Sequence, residues 1–122
     1  MKSQLTDHLW IGNWQDAKNS NGSHYVITVA HDSPFVGNEH YPLVDGPADQ
    51  RQIFYNAVKA TVDAIEQGKP VLVNCHGGRS RSAAVCVAAL ALFSDENVYS
   101  VYEKVIAAHP ETRIHPALAL FL

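Results

Sequence analysis

Residues 71–85 read VLVNCHGGRSRSAAV. Val71-Leu72-Val73-Asn74 is β-branched and apolar on both faces, the pattern of a strand buried on both sides and therefore central in its sheet. From Arg81 to Phe93 no residue after the arginine is charged, so the helix these residues predict is apolar all round and must also be buried. At about 20 Å it is too short to cross a bilayer. A buried strand passing into a buried helix through a short glycine-containing loop restricts the chain to a layered α/β architecture.

The flanking segments agree. "HLWIGN" alternates apolar and polar residues as a short strand, and Asn13 is placed to cap a short helix from Trp14 to Lys18. "YVITVAHD" reads as a buried strand, and "HYPLVD" as a third extended piece that, given Pro42, is an edge strand or enters the sheet late. From Asp49 the period becomes helical, with Phe54, Val58, Val62 and Ile65 on one face. Asp49 and Gln52 have the spacing of a capping box, and Gly68 followed by Pro70 marks the stop. Asn97 predicts the start of a helix reaching Ala108, with Val98, Val101, Tyr102, Val105 and Ile106 turned inward. Pro116 suits the first position of a last short helix. The expected fold class is α/β: a small twisted, mostly parallel central sheet flanked by helices.

A chain of 122 residues with 47% apolar content is expected to form one domain spanning residues 1–122. Net charge is −3 with both signs scattered, which argues against an extended nucleic-acid surface. The N-terminus lacks a hydrophobic signal core, and no apolar run reaches spanning length. Cys75 and Cys86 make no disulfide framework, and the histidines are dispersed. We therefore expect a cytoplasmic, reduced monomer with no membrane segment, no metal and no cofactor.

The loop between strand and helix carries the chemistry. Backbone N–H groups collected at a helix N-terminus attract anions. Gly77 and Gly78 let the loop curl so that the amides of residues 76–81 converge. Arg81, at the start of the helix, offers a planar fork that matches two phosphate oxygens. Cys75 stands at the mouth of this loop, and the field that gathers a phosphate is expected also to ionise the sulfur. In-line attack on phosphorus and a cysteinyl-phosphate intermediate follow, with the Ser82 hydroxyl placed to stabilise the thiolate as it leaves. Cys86 lies eleven residues beyond Cys75; the spacing suggests roughly 16 Å, past disulfide reach, and a core position. Trp10 and Trp14 read as packing residues.

C-H-G-G-R-S-R-S, Cys75 to Ser82, resembles the C-x5-R-[S/T] signature of the cysteine-based protein tyrosine phosphatases, and Gly78 to Ser82 is most similar to the dual-specificity branch. "LTDHLWIGNWQDA", "YPLVD" and "AAHPETRIHPALALFL" resemble that branch's opening, general-acid loop and ending. The resemblance implies a phosphatase-type P-loop in which His76, Gly77, Gly78, Arg79, Ser80 and Arg81 bind phosphate. It implies that Cys75, Arg81, Asp45 and Ser82 carry catalysis. Asp45, thirty residues before Cys75, is then the general acid, with Asp32 as a rival and Asp49 assigned to the helix cap. It also implies phosphorylated proteins as substrates: with no long tyrosine-recognition segment, the pocket would be shallow and admit phosphoserine and phosphothreonine as well as phosphotyrosine.

Where the family has histidine before the nucleophile, this chain has Asn74, which can hydrogen-bond the loop but cannot carry charge. That departure keeps a phosphate-binding module without turnover as an alternative. Arg79 can favour a substrate with a second anionic group, such as a phosphoinositide or an RNA 5′ end. A redox or sulfur-transfer role for Cys75 is disfavoured, because no resolving cysteine is near.

Overall fold

The computed structural model describes residues 2–122. Strands β1 (Ser3–Thr6), β2 (Leu9–Gly12), β3 (Tyr25–Thr28), β4 (Glu39–His40) and β5 (Val71–Asn74) form one sheet ordered β1-β2-β5-β3-β4. β1 runs antiparallel to β2, and every other neighbouring pair is parallel. Val71 pairs with Leu9 on one side and Tyr25 on the other, so β5 is central as its composition demands, and all of its residues are buried. Because the parallel strands are in step, Gly12, Thr28, Asn74 and His40 all lie at one edge of the sheet. The loops that follow them converge there, where open α/β sheets place their ligands.

Helix α1 (Trp14–Asn19) covers one face, packing Ala17 against Val26 and Leu72, with Trp10 and Phe35 beside them. Its start is the expected one: Asn13 and Asp16 form a reciprocal capping box. The other face carries the main core. Here α2 (Arg51–Glu66) and α3 (Arg81–Ser94) lie on the sheet, with α4 (Val98–Ala108) and α5 (Pro116–Ala119) outside α3. α3 is enclosed because its residues from Arg81 through Val87 are all buried. Among the described residues no helix is long and apolar enough to cross a membrane.

Three expectations are corrected. The third extended piece pairs only through Glu39–His40; Pro42 has no N–H to offer, and the chain leaves the ladder there. Ile106 is 36% exposed rather than turned inward, since Val101 and Val105 alone fill the buried stripe of α4. α2 begins at Arg51 behind Gln50, so Asp49 caps nothing and is exposed. The Gln50 side chain instead reaches back: its Oε1 accepts from Val44 N–H at 2.8 Å, and its Nε2 donates to the carbonyls of Val44 and Gly46 at 3.0 Å. One buried amide thus fastens the loop around Asp45 to the start of α2.

Gln50→Ala is expected to lower the folding free energy by about 1–3 kcal/mol, because it removes the partner that this side chain provides to the Val44 and Gly46 backbone groups. Asp49→Ala is expected to change it by less than about 0.5 kcal/mol, as for exposed sites without a special contact. Urea unfolding midpoints of the two variants check this, and a larger effect at Asp49 would contradict the capping geometry.

Candidate active site

The loop from Cys75 to Ser80 leaves β5 and doubles back over the N-terminus of α3. Cys75 is 2% exposed, and its Sγ accepts the Gly78 N–H at 3.2 Å and meets the Ser82 Oγ at 3.2 Å. A loop amide and a helix hydroxyl therefore converge on the sulfur. The turn depends on Gly78, whose φ is +72°, and a Cβ there would stand 2.8 Å from the Gly12 carbonyl carbon and 2.9 Å from Asn13 N. Gly77 differs from expectation, since a side chain would find nothing within 4 Å and its φ is not positive. The close approach is confined to Gly78.

Arg81 opens α3 and is 6% exposed. Its Nη1 donates to Asp32 Oδ1 at 2.8 Å and to the Leu43 carbonyl at 3.1 Å. Its Nε is buried with no protein partner among the described residues. The guanidinium is thus anchored at one nitrogen while another buried N–H remains for an acceptor. Burial by itself would raise the Asp32 carboxyl, but the hydrogen bond and charge of Arg81 outweigh it and hold Asp32 below the usual carboxylate range. A carboxylate so held is a poor proton donor, and Asp32 reads as the counter-ion of Arg81 rather than as an acid.

Asp45 is exposed at the rim, and its Oδ1 accepts from the Ser80 hydroxyl at 2.5 Å. Ser82 is fully buried. His76 and Arg79 are exposed, and their ties to the rest of the fold are through the backbone: the His76 carbonyl accepts from Trp14 N–H and that of Arg79 from Arg113 N–H. Asn74 is fully buried; its Oδ1 accepts from Thr28 Oγ1 at 2.8 Å and its Nδ2 donates to the Cys75 carbonyl at 3.2 Å. The amide therefore knits the loop to β3, as its chemistry allows. Cys86 lies in the core with its thiol pushed upward by burial and then by Cys75. It follows Ser82 by one helical turn, which is closer to Cys75 than linear spacing suggested, because the loop folds back instead of extending the helix.

His109 and Gln50 were not legible as site residues. His109 is 1% exposed, and its Nε2 donates to the Gly78 carbonyl at 2.6 Å. On its other side, Nδ1 stands 2.7 Å from Ser3 Oγ. The sequence signal was a histidine just past a helix end before Pro110, which does not tell which distant carbonyl it reaches. Among the described residues no group of three or more His, Cys, Asp or Glu side chains is placed to hold a metal ion.

No protein-family model matches the chain. Mouse dual specificity protein phosphatase 18 is 34% identical over 99 residues, covering 72% of this chain and 53% of that protein. Variola virus dual specificity protein phosphatase H1 is 28% identical over 110 residues, covering 82% and 64%. The chain therefore spans between half and two thirds of the length of these relatives. In fold, it resembles human DUSP28 with a TM-score of 0.85 at 24% identity, covering 98% of this chain and 88% of the other. A mouse putative dual specificity phosphatase, solved as a complex with zinc tungstate, matches with a TM-score of 0.84 at 24% identity, covering 98% and 82%. What these likenesses show is a shared fold, here a mixed sheet with a cysteine loop closed over a buried helix. In sequence, the relatives that the chain resembles are named dual specificity protein phosphatases.

Asp32→Asn removes the charge facing a buried guanidinium. The Asp32 side chain is 46% exposed, so the expected loss lies between the ~1 kcal/mol of exposed pairs and the ~3–5 kcal/mol of buried ones. The folded-state carboxyl is depressed, so its contribution is fully present above the ordinary value of about 3.9 and disappears as pH falls through the folded value. Wild type and variant should differ in urea midpoint at pH 7 and converge in strong acid. A difference that persists unchanged in acid would assign the effect to packing.

Proposed function

We propose that this chain is a phosphomonoester hydrolase that dephosphorylates phosphotyrosine, phosphoserine and phosphothreonine in proteins through a cysteinyl-phosphate intermediate. The observation that carries this reading is the Cys75 sulfur held by a loop amide beside a helix whose first residue is a buried arginine with an unpartnered Nε. The mouse neighbour was solved as a complex with zinc tungstate, and tungstate is a tetrahedral oxyanion like phosphate, which suits a fold that takes such a ligand.

In the first step, the Cys75 thiolate attacks phosphorus in line with the leaving oxygen. The S–P bond forms, the P–O bond breaks, and Asp45 delivers its proton to the leaving oxygen. Arg81 and the loop amides hold the equatorial oxygens, supplying fixed positive charge where a metal ion would otherwise stand. In the second step, Asp45 takes a proton from water, whose oxygen bonds to phosphorus as the S–P bond breaks. The Ser82 hydroxyl, in contact with Sγ, donates to the departing thiolate. We read residues 1–122 as one catalytic domain, monomeric and cytoplasmic; the two unpaired buried cysteines suit a reducing compartment.

Hydrolysis of para-nitrophenyl phosphate tests the reading. Wild type should turn over equally with and without EDTA, and Cys75→Ser should not turn over at all. Binding of vanadate without any hydrolysis would mark a binding module, the reading that Asn74 in the histidine position keeps open. Asp45→Ala should lower kcat by ~10²–10⁴, and an unchanged kcat would remove Asp45 from the acid role.

A further inference from the structure

Ser80 sits at the N-cap of α3, where a serine ordinarily turns its hydroxyl onto the first free amides of its own helix. Here the side chain makes no capping hydrogen bond. It is 7% exposed, donates to Asp45 Oδ1 at 2.5 Å, and accepts from His115 N–H at 2.9 Å. A helix-capping group has been diverted to join the catalytic loop, the loop carrying Asp45 and the segment before α5.

We infer that Ser80 is the positioning residue of the general acid: it locks one carboxylate oxygen of Asp45 so that the other carries the transferred proton. This rests on the assignment of Asp45 as the acid. A hydroxyl has one proton and two acceptor sites. The His115 amide occupies an acceptor site, which leaves the Ser80 proton for Asp45 Oδ1. Oδ1 is then an acceptor in both protonation states of the carboxyl, and the mobile proton resides on Oδ2. Oδ2 gives it to the leaving oxygen in the first step and receives it from water in the second.

The arrangement answers a difficulty in the geometry. Asp45 lies on an exposed, irregular segment, where an untethered side chain would sample several rotamers. Gln50 fastens the backbone on either side of Asp45 through Val44 and Gly46, but it does not touch the carboxylate. Ser80 supplies that last constraint from within the phosphate loop itself, so the carboxylate is referenced to the loop that holds the sulfur and not only to its own backbone. Misplacement by about 1 Å is enough to cost on the order of 10²-fold in rate.

The test compares aryl phosphates of graded leaving-group pKa, because loss of general-acid assistance is felt most when the leaving group is poor. Asp45→Asn should steepen the fall of kcat with rising leaving-group pKa. Ser80→Ala should steepen it in the same sense, with a loss at least about 10-fold larger for phenyl phosphate than for para-nitrophenyl phosphate. Ser80→Thr, which keeps the hydroxyl, should restore the shallow slope. In the Asp45→Asn background, Ser80→Ala should add no further steepening, since both changes remove one function. Inhibition by inorganic vanadate reports the phosphate loop independently. If Ser80→Ala weakens vanadate binding and lowers kcat equally for every leaving group, the hydroxyl merely shapes the loop and the inference is overturned. A steep slope for Asp45→Asn with a shallow one for Ser80→Ala overturns it while leaving the acid assignment intact. A shallow slope for Asp45→Asn removes both. Should Ser80→Ala not fold, Ser80→Cys exchanges a strong donor for a weak one at similar volume and carries the same expectation.

Discussion

The hydrogen bond from Gly78 N–H to Cys75 Sγ is the contact on which the rest of the site depends. It exists only if the chain reverses within a few residues of leaving the central strand. That reversal requires a left-handed residue pressed against the backbone of Gly12 and Asn13, a place where no side chain fits. The reversed loop is then gripped from the C-terminal side. His109 holds the Gly78 carbonyl, Arg113 N–H holds that of Arg79, and His115 N–H holds the Ser80 hydroxyl. The carbonyls of Gly78 and Arg79 and the Ser80 hydroxyl are thereby occupied from outside the turn, an arrangement that suits the proposed anion site.

Charge in the site is distributed along the same lines. The Arg81 guanidinium is nearly buried, and Asp32 with the Leu43 carbonyl compensates one of its nitrogens. Compensation at that nitrogen orients the fork without consuming Nε. Asn74 contributes no charge beneath the sulfur. Its Oδ1 and Nδ2 are bonded to Thr28 and to the Cys75 carbonyl, so the position serves to join strand and loop.

Much of this was legible along the chain. The centrality of β5, the burial of α3, the Asn13 and Asn97 caps and Pro116 at the start of α5 followed from periodicity and from the chemistry of helix ends, which act over a few residues. The capping box at Asp49 failed for an equally local reason. Its spacing was right, but Gln50 found better use as a buried pin for the neighbouring loop, a competition that composition does not display. β1 was not separated from β2, because a short half-exposed strand is recognisable only by the partner it pairs with.

The residues proposed for the chemistry were nameable from the sequence by two routes: Cys75, Arg81 and Ser82 share one loop and helix turn with fixed short spacing, and Asp45 came from the resemblance of the YPLVD segment. Which group faces which was decided only by the tertiary structure. Asp32 reached Arg81 across 49 residues, Ser80 reached Asp45 across 35 and His109 reached Gly78 across 31. Such contacts depend on how parallel strands bring the loops at one sheet edge together. Sheet order and register, not residue spacing, determine those distances.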